Sequence, residues 1–488
     1  MKGFSRPEEH GLQSFGLDSR LRQAFYALPA ERVQALSVRV FEEARKRQLI
    51  YSRDGREGVI NVMLRPAGAM PDQAAYCHVV SLALLHALKR LPDLYLQDFS
   101  VRSVVPLLPD EEMWLWDTWG PAQREHNPIF GRLDAMVDFT SPMWKDTLHF
   151  IEPNLSGVGG IHIGPTCDQL VADVVLPVLR EAIPDLHLDC GADLREMFIQ
   201  EITDHLEAIG RSGGVICLID PKYAEDGPVE FTALVEHYRD LHGMKVVYAD
   251  ANELRVKGGA VWYEDSRIDI AYRGYEVRDL LEMEKEEGLD LTPFRVLFRE
   301  NRIISSIAGD FDHKSTWEIF TNPDFTTKYF TADERHVFQR HVLWTRLLRE
   351  CRTTNPEGQP VDLLEWVRRN QDILVIKPNR SYGGEGVLIG PSVSDREWAR
   401  EIEASLTGEA CVVQRLAHIA MSEFPIVGPN GEVGMGPFYT VVGFAPTKYG
   451  VGILGRASQK QVVNVAQGGA SYAVLIGRSG YPAHAKVA

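Results

Sequence analysis

The sequence predicts an α/β protein in which helices and sheets are mixed along the chain. Three observations predict this class. Apolar residues recur at helical spacing in several segments, β-branched runs alternate with helical segments after residue 212, and a glycine-rich loop separates two β-branched runs near residue 380. With 488 residues the chain is long enough for two or three domains or subdomains.

The composition is that of an ordinary globular protein, with 44% hydrophobic and 25% charged residues. A formal net charge of −16 argues against a general nucleic-acid or anionic-membrane surface. The first ten residues lack an apolar signal core, and the six cysteines are scattered without zinc-ligand spacing. We therefore expect a cytoplasmic protein with reduced thiols, and neither nucleic acid nor membrane as a partner.

The first expected domain, residues 1–211, begins with helices over residues 21–49 and 74–91. Strands are predicted over residues 133–139 and 148–152, followed by a glycine-rich loop and a helix over residues 169–182.

The second expected domain, residues 212–300, has a strand, helix, strand order over residues 215–220, 229–241 and 245–250. Continuous apolar strands of this kind indicate a buried parallel sheet, so we expect a Rossmann-like subdomain. Its first turn lacks the glycine fingerprint, which argues against a dinucleotide site.

The third expected domain, residues 301–488, is helix-rich to residue 369 and strand-rich after it. Its most informative segment runs from a β-branched strand ending in Lys377, through Gly383, Gly384 and Gly386, into a second β-branched run. Glycines let backbone N–H groups approach phosphate oxygens, and the lysine adds a positive charge. The loop lacks the P-loop and dinucleotide patterns, so the alternatives are a nucleotide flap or an ordinary glycine turn.

Glu152 and Asn154 stand two residues apart at the end of a predicted strand, so their side chains project to the same side. Both offer the hard oxygen ligands that suit Mg²⁺. A polar strand end with an Asx turn is the alternative interpretation.

Three further motifs contain cationic side chains. Arg273, Tyr275 and Arg278 could bind a carboxylate, or form surface ion pairs. Lys314, at a predicted helix start, could meet a phosphate or be an ordinary solvated lysine. Arg456 could stabilise charge on a phosphoryl or acyl centre, and a hairpin with a glycine turn is the alternative there.

Taken in order, these motifs resemble those of the ATP-grasp enzymes, specifically the circularly permuted branch typified by the eukaryotic-type glutathione synthetase. The resemblance extends over residues 131–474 and includes the hinge-like segment 411–414. It implies an ATP-grasp fold, with two lobes around the nucleotide and the Rossmann-like subdomain inserted, and it implies ATP and Mg²⁺ as cofactors.

The resemblance also implies roles for individual residues. The residues expected to bind ATP are Lys314, Lys377, Asn379, Gly383, Gly384, Gly386 and Gln414. The residues expected to hold Mg²⁺ are Glu152 and Asn154, with Asn464 as a candidate third ligand. The residues expected to line the acid-substrate pocket are Arg132, Ser156, Arg273, Tyr275 and Arg456, with catalytic roles for Arg132 and Arg456.

The sequence departs from the family pattern at the glycine-rich loop. Ser381 or Tyr382 stands where the family has a metal-binding glutamate, with Asn379 and Glu385 as possible substitutes. The acidic residue expected after the hinge is also missing from residues 438–441. The third metal ligand therefore stays open, and we expect an acid substrate other than the glutathione precursor.

The expected function is ATP-dependent ligation of a small-molecule carboxylate to an amine, through an acyl phosphate, with amino acids as the favoured substrates. Two alternatives stay open at this point: a phosphotransferase acting on a hydroxyl, and a degenerate module that binds nucleotide without turnover. A homodimer is expected by analogy with relatives.

Overall fold

A computed structural model describes residues 6–465 and 468–477 of the chain. The α-helices in these ranges are α1 (Arg6–Ala27), α2 (Ala30–Lys46), α3 (Pro71–Leu88), α4 (Leu91–Gln97), α5 (Phe99–Val104), α6 (Pro109–Thr118), α7 (Pro121–Glu125), α8 (Trp144–Thr147), α9 (Ile163–Val174), α10 (Leu176–Ala182), α11 (Leu194–Ala208), α12 (Phe231–His242), α13 (Val277–Glu287), α14 (Thr292–Arg299), α15 (Thr316–Thr321), α16 (Pro323–Tyr329), α17 (Ala332–His341), α18 (Leu363–Arg369) and α19 (Asp395–Thr407).

The strands in the same ranges are β1 (Ile50–Arg53), β2 (Arg56–Val59), β3 (Ala67–Ala69), β4 (Arg132–Met136), β5 (His149–Asn154), β6 (Leu188–Asp189), β7 (Ile216–Ile219), β8 (Gly227–Pro228), β9 (Val246–Ala249), β10 (Leu254–Lys257), β11 (Ala260–Tyr263), β12 (Ser266–Arg267), β13 (Ile270–Arg273), β14 (Ile303–Ile304), β15 (Thr345–Leu347), β16 (Arg352–Thr354), β17 (Pro360–Asp362), β18 (Leu374–Pro378), β19 (Leu388–Ile389), β20 (Cys411–Arg415), β21 (Met421–Val427), β22 (Val433–Thr447), β23 (Gly450–Ser458), β24 (Ala470–Tyr472) and β25 (Val474–Gly477).

An antiparallel sheet of six strands joins segments from the first and third expected domains. Its order is β24-β23-β22-β4-β5, and β21 pairs with the first half of β22, residues 433–439. The long strand β22 pairs with β23 on one edge and with β4 on the other. Residues 132–154 and 433–458, which lie in the first and third expected domains, are therefore neighbours in one sheet.

A second antiparallel sheet has the order β15-β20-β18-β19. Alternation along β18 and β20 sends Leu374, Ile376 and Val413 into an apolar core beneath α18 and α19. The opposite face presents Lys377 and Gln414. Gln414 is paired with Val375 in the register, so it is a diagonal neighbour of Lys377 on this face.

A sheet of four parallel strands has the order β14-β13-β7-β9. Helices α11 and α12 cover one face, and their apolar side chains form a shared core with the strands. The strands expected near residues 215–220 and 245–250 are β7 and β9. Strand β14 belongs to the same sheet although it lies beyond the expected boundary at residue 300.

Two predicted helices are each divided in the structure. The segment 21–49 falls across α1 and α2, which are separated at Pro29. The segment 169–182 falls across α9 and α10, and Pro177 stands in the first turn of α10. Proline lacks a backbone N–H and clashes with the preceding turn, so it favours a helix start over a helix interior.

The predicted frayed tail at residues 480–488 lies outside the described residues. Within residues 6–465 and 468–477, the helices are all too short or too polar to cross a membrane.

Candidate active site

A cleft of about 710 Å³ lies between the six-stranded sheet and the face of the second sheet that bears Lys377 and Gln414. Apolar side chains from both sheets and the segment after β20 line much of it: Met136, Ile151, Val375, Ile389, Ile419 and Val441. The charged and polar side chains Lys377, Glu152, Gln414 and Arg456 line the rest. A cleft with an apolar slot and a charged end suits a ligand that has a flat ring and an anionic group.

Lys377 is buried in this cleft, and its Nζ donates a 2.8 Å hydrogen bond to Oε1 of Gln414. Gln414 Nε2 in turn donates to Thr345 Oγ1 at 2.9 Å and to the carbonyl oxygen of Ile151 at 3.1 Å. Gln414 therefore connects both sheets across the cleft. Burial, reinforced by the charge of Lys314, lowers the pKa of Lys377 to about 8, although Glu152 opposes the shift.

Lys314 lies on the other side of the charged end. Its Nζ donates to the carbonyl oxygen of Ser381 at 2.6 Å and lies 3.4 Å from Oε2 of Glu152. The same ammonium is 5.9 Å from the ring centre of Tyr382. Lys314 thus joins the glycine-rich loop to the strand that bears Glu152.

A second cavity of about 870 Å³ adjoins the cleft. Four residues line both spaces: Asp134, Glu152, Arg456 and Asn464. The second cavity is also lined by Arg132, Asn154, Tyr382 and the loop glycines 157, 159 and 160. A ligand at this end of the cleft would therefore be adjacent to a second ligand in the neighbouring cavity.

Asp134 is the buried anion at this junction. Its carboxylate lies 2.9 Å from Arg132 Nε and 2.7 Å from Arg456 Nη2. Burial opposes ionisation of Asp134, but the charges of Arg132 and Arg456 outweigh it and hold the pKa of Asp134 well below its usual range. One carboxylate between two guanidinium groups leaves a net positive charge. The Nε of Arg456 is buried without a hydrogen-bond partner in the described part of the chain.

Strand register produces this arrangement. In the β4–β5 pair, Asp134 lies opposite Glu152 and Arg132 lies opposite Asn154. Residues two apart on a strand share a face, so all four side chains project to one side of the sheet. Arg456 lies two strands away, on β23, and reaches the same face.

Three of the oxygen-bearing side chains near the junction could hold a divalent cation: Glu152, Asn154 and Asn464. The amide nitrogen of Asn154 donates to Asp134 Oδ2 and to the carbonyl oxygen of Arg132, both at 3.3 Å. This orientation leaves the amide oxygen of Asn154 as the group that it could offer to a metal. Carboxylate and amide oxygens are suitable ligands for Mg²⁺.

The glycine-rich loop lies along both spaces. Gly384 lines the cleft and Gly383 lines the second cavity. Gly383, Gly384 and Gly386 have φ values of 74°, 76° and 65°, in the left-handed region that favours glycine. A Cβ atom at Gly384 would come 2.5 Å from Cγ1 of Val462, so the loop also needs glycine there for close packing.

Comparison with known proteins was informative only at the level of structure. No protein-family model and no curated protein matches the sequence. A glutathione synthetase-like effector from Globodera pallida, solved in its apo form, aligns with a TM-score of 0.58 and 10% identity, over 92% of this chain and 97% of that chain. The chain shares its fold with this glutathione synthetase-like protein.

Two other solved structures align less well. A putative γ-glutamylcysteine synthetase from Methylobacillus flagellatus KT has a TM-score of 0.39 and 13% identity, over 79% of this chain and 85% of that chain. An ATP-grasp RimK domain protein from Sphaerobacter thermophilus has a TM-score of 0.25 and 14% identity, over 49% and 88%. The shared fold therefore rests on the first alignment, which agrees with the expected likeness to glutathione synthetase.

Most of the predicted site residues lie around the cleft and the second cavity. Those that line one or both spaces are Arg132, Glu152, Asn154, Lys377, Gly383, Gly384, Gln414, Arg456 and Asn464. Lys314 is adjacent through its contacts with Glu152 and Ser381. Gly386 lies beside Pro378, where an added Cβ would be 2.7 Å from the proline ring.

Arg273 and Tyr275 line neither the cleft nor the second cavity, unlike Arg132 and Arg456, the other cationic residues expected in the acid pocket. Arg273 is fully buried, forms a 2.5 Å ion pair with Asp310, and donates to the carbonyl oxygens of Ser305, Ser306 and Tyr275. Tyr275 is buried and donates to Asp250 Oδ2 at 3.1 Å. Both side chains hold the parallel sheet to its surroundings.

Asn379 and Ser156 also differ from expectation, because neither lines the cleft or the second cavity. Asn379 is buried, and its Oδ1 accepts a 2.8 Å hydrogen bond from the backbone N–H of Ser315. Ser156 is buried beside Gly157, and its hydroxyl has no hydrogen-bond partner in the described part of the chain. Glu385, a possible substitute metal ligand, is exposed on the loop.

The sequence interpretation missed Asp134 and Glu230. Glu230 is buried, and its carboxylate accepts hydrogen bonds from the backbone N–H groups of Gly160, His162 and Ile163, which fixes the glycine loop beside the second cavity. Asp134 had one available signal, since it lies in the predicted strand 133–139 and follows Arg132 by two positions. Glu230 had none, since it lies 70 residues from Gly160.

Proposed function

We propose that the protein is an ATP-dependent carboxylate–amine ligase of the ATP-grasp superfamily, in the circularly permuted branch. It would join small molecules, with amino acids as the expected class, through an acyl-phosphate intermediate. One observation supports this most directly: an apolar cleft and a polar cavity meet at Asp134, Glu152, Arg456 and Asn464. A ligase of this type needs a nucleotide and an acid substrate in adjacent spaces.

In this proposal the adenine ring occupies the apolar part of the cleft, near Gln414. Lys377 and Lys314 lie at the charged end, where they would neutralise phosphate oxygens. A phosphate would also favour the charged form of Lys377, whose pKa is lowered to about 8 without it.

The oxygen donors at the junction fit Mg²⁺. Glu152, Asn154 and Asn464 would hold the ion, which supplies charge neutralisation and orientation for the phosphate chain when bound. Their residue types fit the chemistry because all three offer hard oxygen atoms.

The reaction would consist of two displacements. A carboxylate oxygen of the acid attacks the γ-phosphorus of ATP, and ADP leaves. The amine nitrogen then attacks the acyl carbon, phosphate leaves, and the amine loses a proton. Arg456, with its unpartnered buried Nε, is suited to stabilise negative charge on the transferred group, and Arg132 is suited to orient the acid.

Water must be kept from an acyl phosphate, because the intermediate hydrolyses readily. The loop with Gly383 and Gly384 already lies along both spaces, and Lys314 holds its backbone at Ser381. A loop of this kind can close over bound nucleotide and exclude solvent.

The acid substrate would bind in the second cavity and contact Arg132, Arg456 and Tyr382. Arg273 is sequestered in its ion pair with Asp310, so the acid would be recognised without it. A substrate other than the glutathione precursor is consistent with that difference.

A second candidate function is nucleotide binding without turnover. One observation favours it: Ser381 or Tyr382 stands where the family has an acidic metal ligand, while Glu385 is exposed and Asn379 accepts a hydrogen bond from the backbone of Ser315. A weakened metal site could support binding while slowing phosphoryl transfer.

The test is an ADP-release screen with the full chain, ATP and Mg²⁺, over a panel of amino acids, other small carboxylates and amines, followed by mass measurement of the product. ADP release that requires both an acid and an amine, with an amide product, supports the ligase. Release with a single alcohol would indicate a phosphotransferase. Thermal stabilisation by ATP with no release across the panel would indicate the non-catalytic module.

A further inference from the structure

Two histidines and a glutamate converge on the surface of the parallel-sheet region. His237 Nε2 lies 2.8 Å from Oε1 of Glu196, and His242 Nε2 lies 3.0 Å from Oε2 of the same carboxylate. One ligand atom from each of the three residues lies within 4.8 Å of the other two. Sequence spacing did not reveal this cluster, because Glu196 precedes His237 by 41 residues.

Two packed helices hold the three side chains. Glu196 lies in the first turn of α11, and both histidines belong to α12. The Tyr238 hydroxyl donates a 2.9 Å hydrogen bond to the carbonyl oxygen of Arg195, which joins the two helices beside the cluster. The His237 ring packs edge-on against the Tyr238 ring, with 5.4 Å between ring centres. The cluster is therefore built on rigid elements.

The surroundings of the cluster favour a cation. His242 is the last residue of α12, and the carboxyl end of a helix bears a partial negative charge. Arg195 is adjacent to Glu196 in the chain, but its guanidinium is turned towards Asp193, with Nη2 2.6 Å from Oδ2.

The spacing also fits a tetrahedral ion. With bonds of about 2.0–2.1 Å, neighbouring ligands of tetrahedral Zn²⁺ lie about 3.3 Å apart. The nitrogen–oxygen distances of 2.8–3.2 Å in the cluster are slightly shorter than this value. Binding would require a small outward shift of the three side chains. Both histidines would carry their proton on Nδ1, so that Nε2 is free to bind the ion. A fourth position would stay open for water.

We propose that Glu196, His237 and His242 form a binding site for a divalent transition-metal ion, with Zn²⁺ as the best fit. The ion would link α11 to α12, the two helices that cover one face of the parallel sheet. The site would act on stability, because a ligand that binds only the folded chain raises the free energy of unfolding.

The test uses the full chain without an affinity tag, stripped with a chelator and then titrated with Zn²⁺ by calorimetry. The titration is repeated with His242→Ala, Glu196→Gln and Glu152→Gln. We expect one equivalent of Zn²⁺ to bind and to raise Tm. His242→Ala and Glu196→Gln should each weaken this binding at least tenfold, whereas Glu152→Gln, in the candidate active site, should leave it intact.

His10→Ala is the matched control, because His10 also forms a 2.9 Å pair with a carboxylate, Asp72, but without a second histidine. Zn²⁺ affinity should be unchanged in this variant. Co²⁺ provides a spectroscopic test, since binding to the cluster should give visible absorption that His242→Ala removes. The proposal is overturned if the wild-type chain binds no Zn²⁺ at micromolar concentration, or if the His242→Ala and Glu196→Gln variants retain wild-type affinity.

Discussion

Replacing Lys377 by methionine should weaken nucleotide binding while making the fold more stable at neutral pH. Methionine has a similar length and keeps the buried contacts without the charge. Lys377 is buried in the cleft, where its Nζ has Gln414 Oε1 as a partner at 2.8 Å. The function of this lysine and the stability of the chain should therefore respond in opposite directions.

The stability change follows from the pKa of Lys377. Burial lowers this pKa from the usual value near 10.5 to about 8. Keeping the lysine charged in the folded chain below pH 8 thus costs about 3 kcal/mol. The unfolded chain binds more protons between pH 8 and 10.5, so this penalty disappears as pH rises through that window. Methionine removes the penalty but leaves Gln414 Oε1 without its donor, which costs about 1–2 kcal/mol.

Lys377→Met should therefore be more stable than the wild type by about 1 kcal/mol at pH 7, from the difference of these two terms. The stability difference between the two proteins should shift by about 3 kcal/mol in favour of the wild type between pH 7 and 10.5. Denaturant unfolding at several pH values measures both quantities. Lys285→Met, at an exposed position on α13, is the matched control and should show neither effect.

Nucleotide affinity supplies the other half of the test. A charge-assisted hydrogen bond to phosphate contributes about 1.5–3 kcal/mol, so a non-hydrolysable ATP analogue should bind about 10- to 150-fold more weakly to Lys377→Met at pH 7. Calorimetric titration measures this loss. Affinity within threefold of the wild type would refute the assignment of Lys377 to the phosphate end of the cleft, and an unchanged pH dependence of stability would refute its buried charge.

Three further predictions concern Glu152, Arg273 and Gly384. Glu152→Gln should raise the Mg²⁺ concentration needed for nucleotide turnover sharply, and an unaltered Mg²⁺ titration would argue against a metal role. Arg273→Ala should lower the free energy of unfolding by about 3–5 kcal/mol, because it leaves Asp310 buried without its partner. Denaturant unfolding measures this loss. A variant of unchanged stability with a raised KM for the acid would indicate instead that Arg273 binds the substrate. Gly384→Ala should weaken nucleotide binding with little change in Tm, since the added Cβ would strain a left-handed loop position and approach Val462. Wild-type affinity in this variant would show that the loop does not contact the nucleotide.

Much of the candidate site could be predicted from local patterns. The strand that ends in Lys377, the left-handed glycines at 383 and 384, and the paired oxygens of Glu152 and Asn154 all follow from residue type and short spacing. These signals are local because strand alternation and glycine conformation depend on neighbouring residues. Their convergence on one cleft was expected only through the family resemblance.

The misplaced residues show where local patterns stop being informative. Arg273 has the residue type of a carboxylate clamp, but Asp310, distant in the chain, takes up its guanidinium inside the fold. Asn379 follows Lys377 by two residues, yet its amide oxygen accepts a hydrogen bond from the backbone N–H of Ser315. A sequence pattern specifies the chemistry that a side chain can offer, whereas long-range packing decides which partner receives it.

The sequence by itself determined the mixed α/β class, the parallel-strand segment and the types of residue available for phosphate and metal binding. Tertiary structure alone decided that β4 and β5 join β22 and β23, which brings Asp134, Glu152 and Arg456 together. It also decided that Glu196 meets His237 and His242 on two packed helices. The physical reason is the same in both cases. Sheet register and helix packing depend on contacts between segments far apart in the chain, and local periodicity does not predict those contacts.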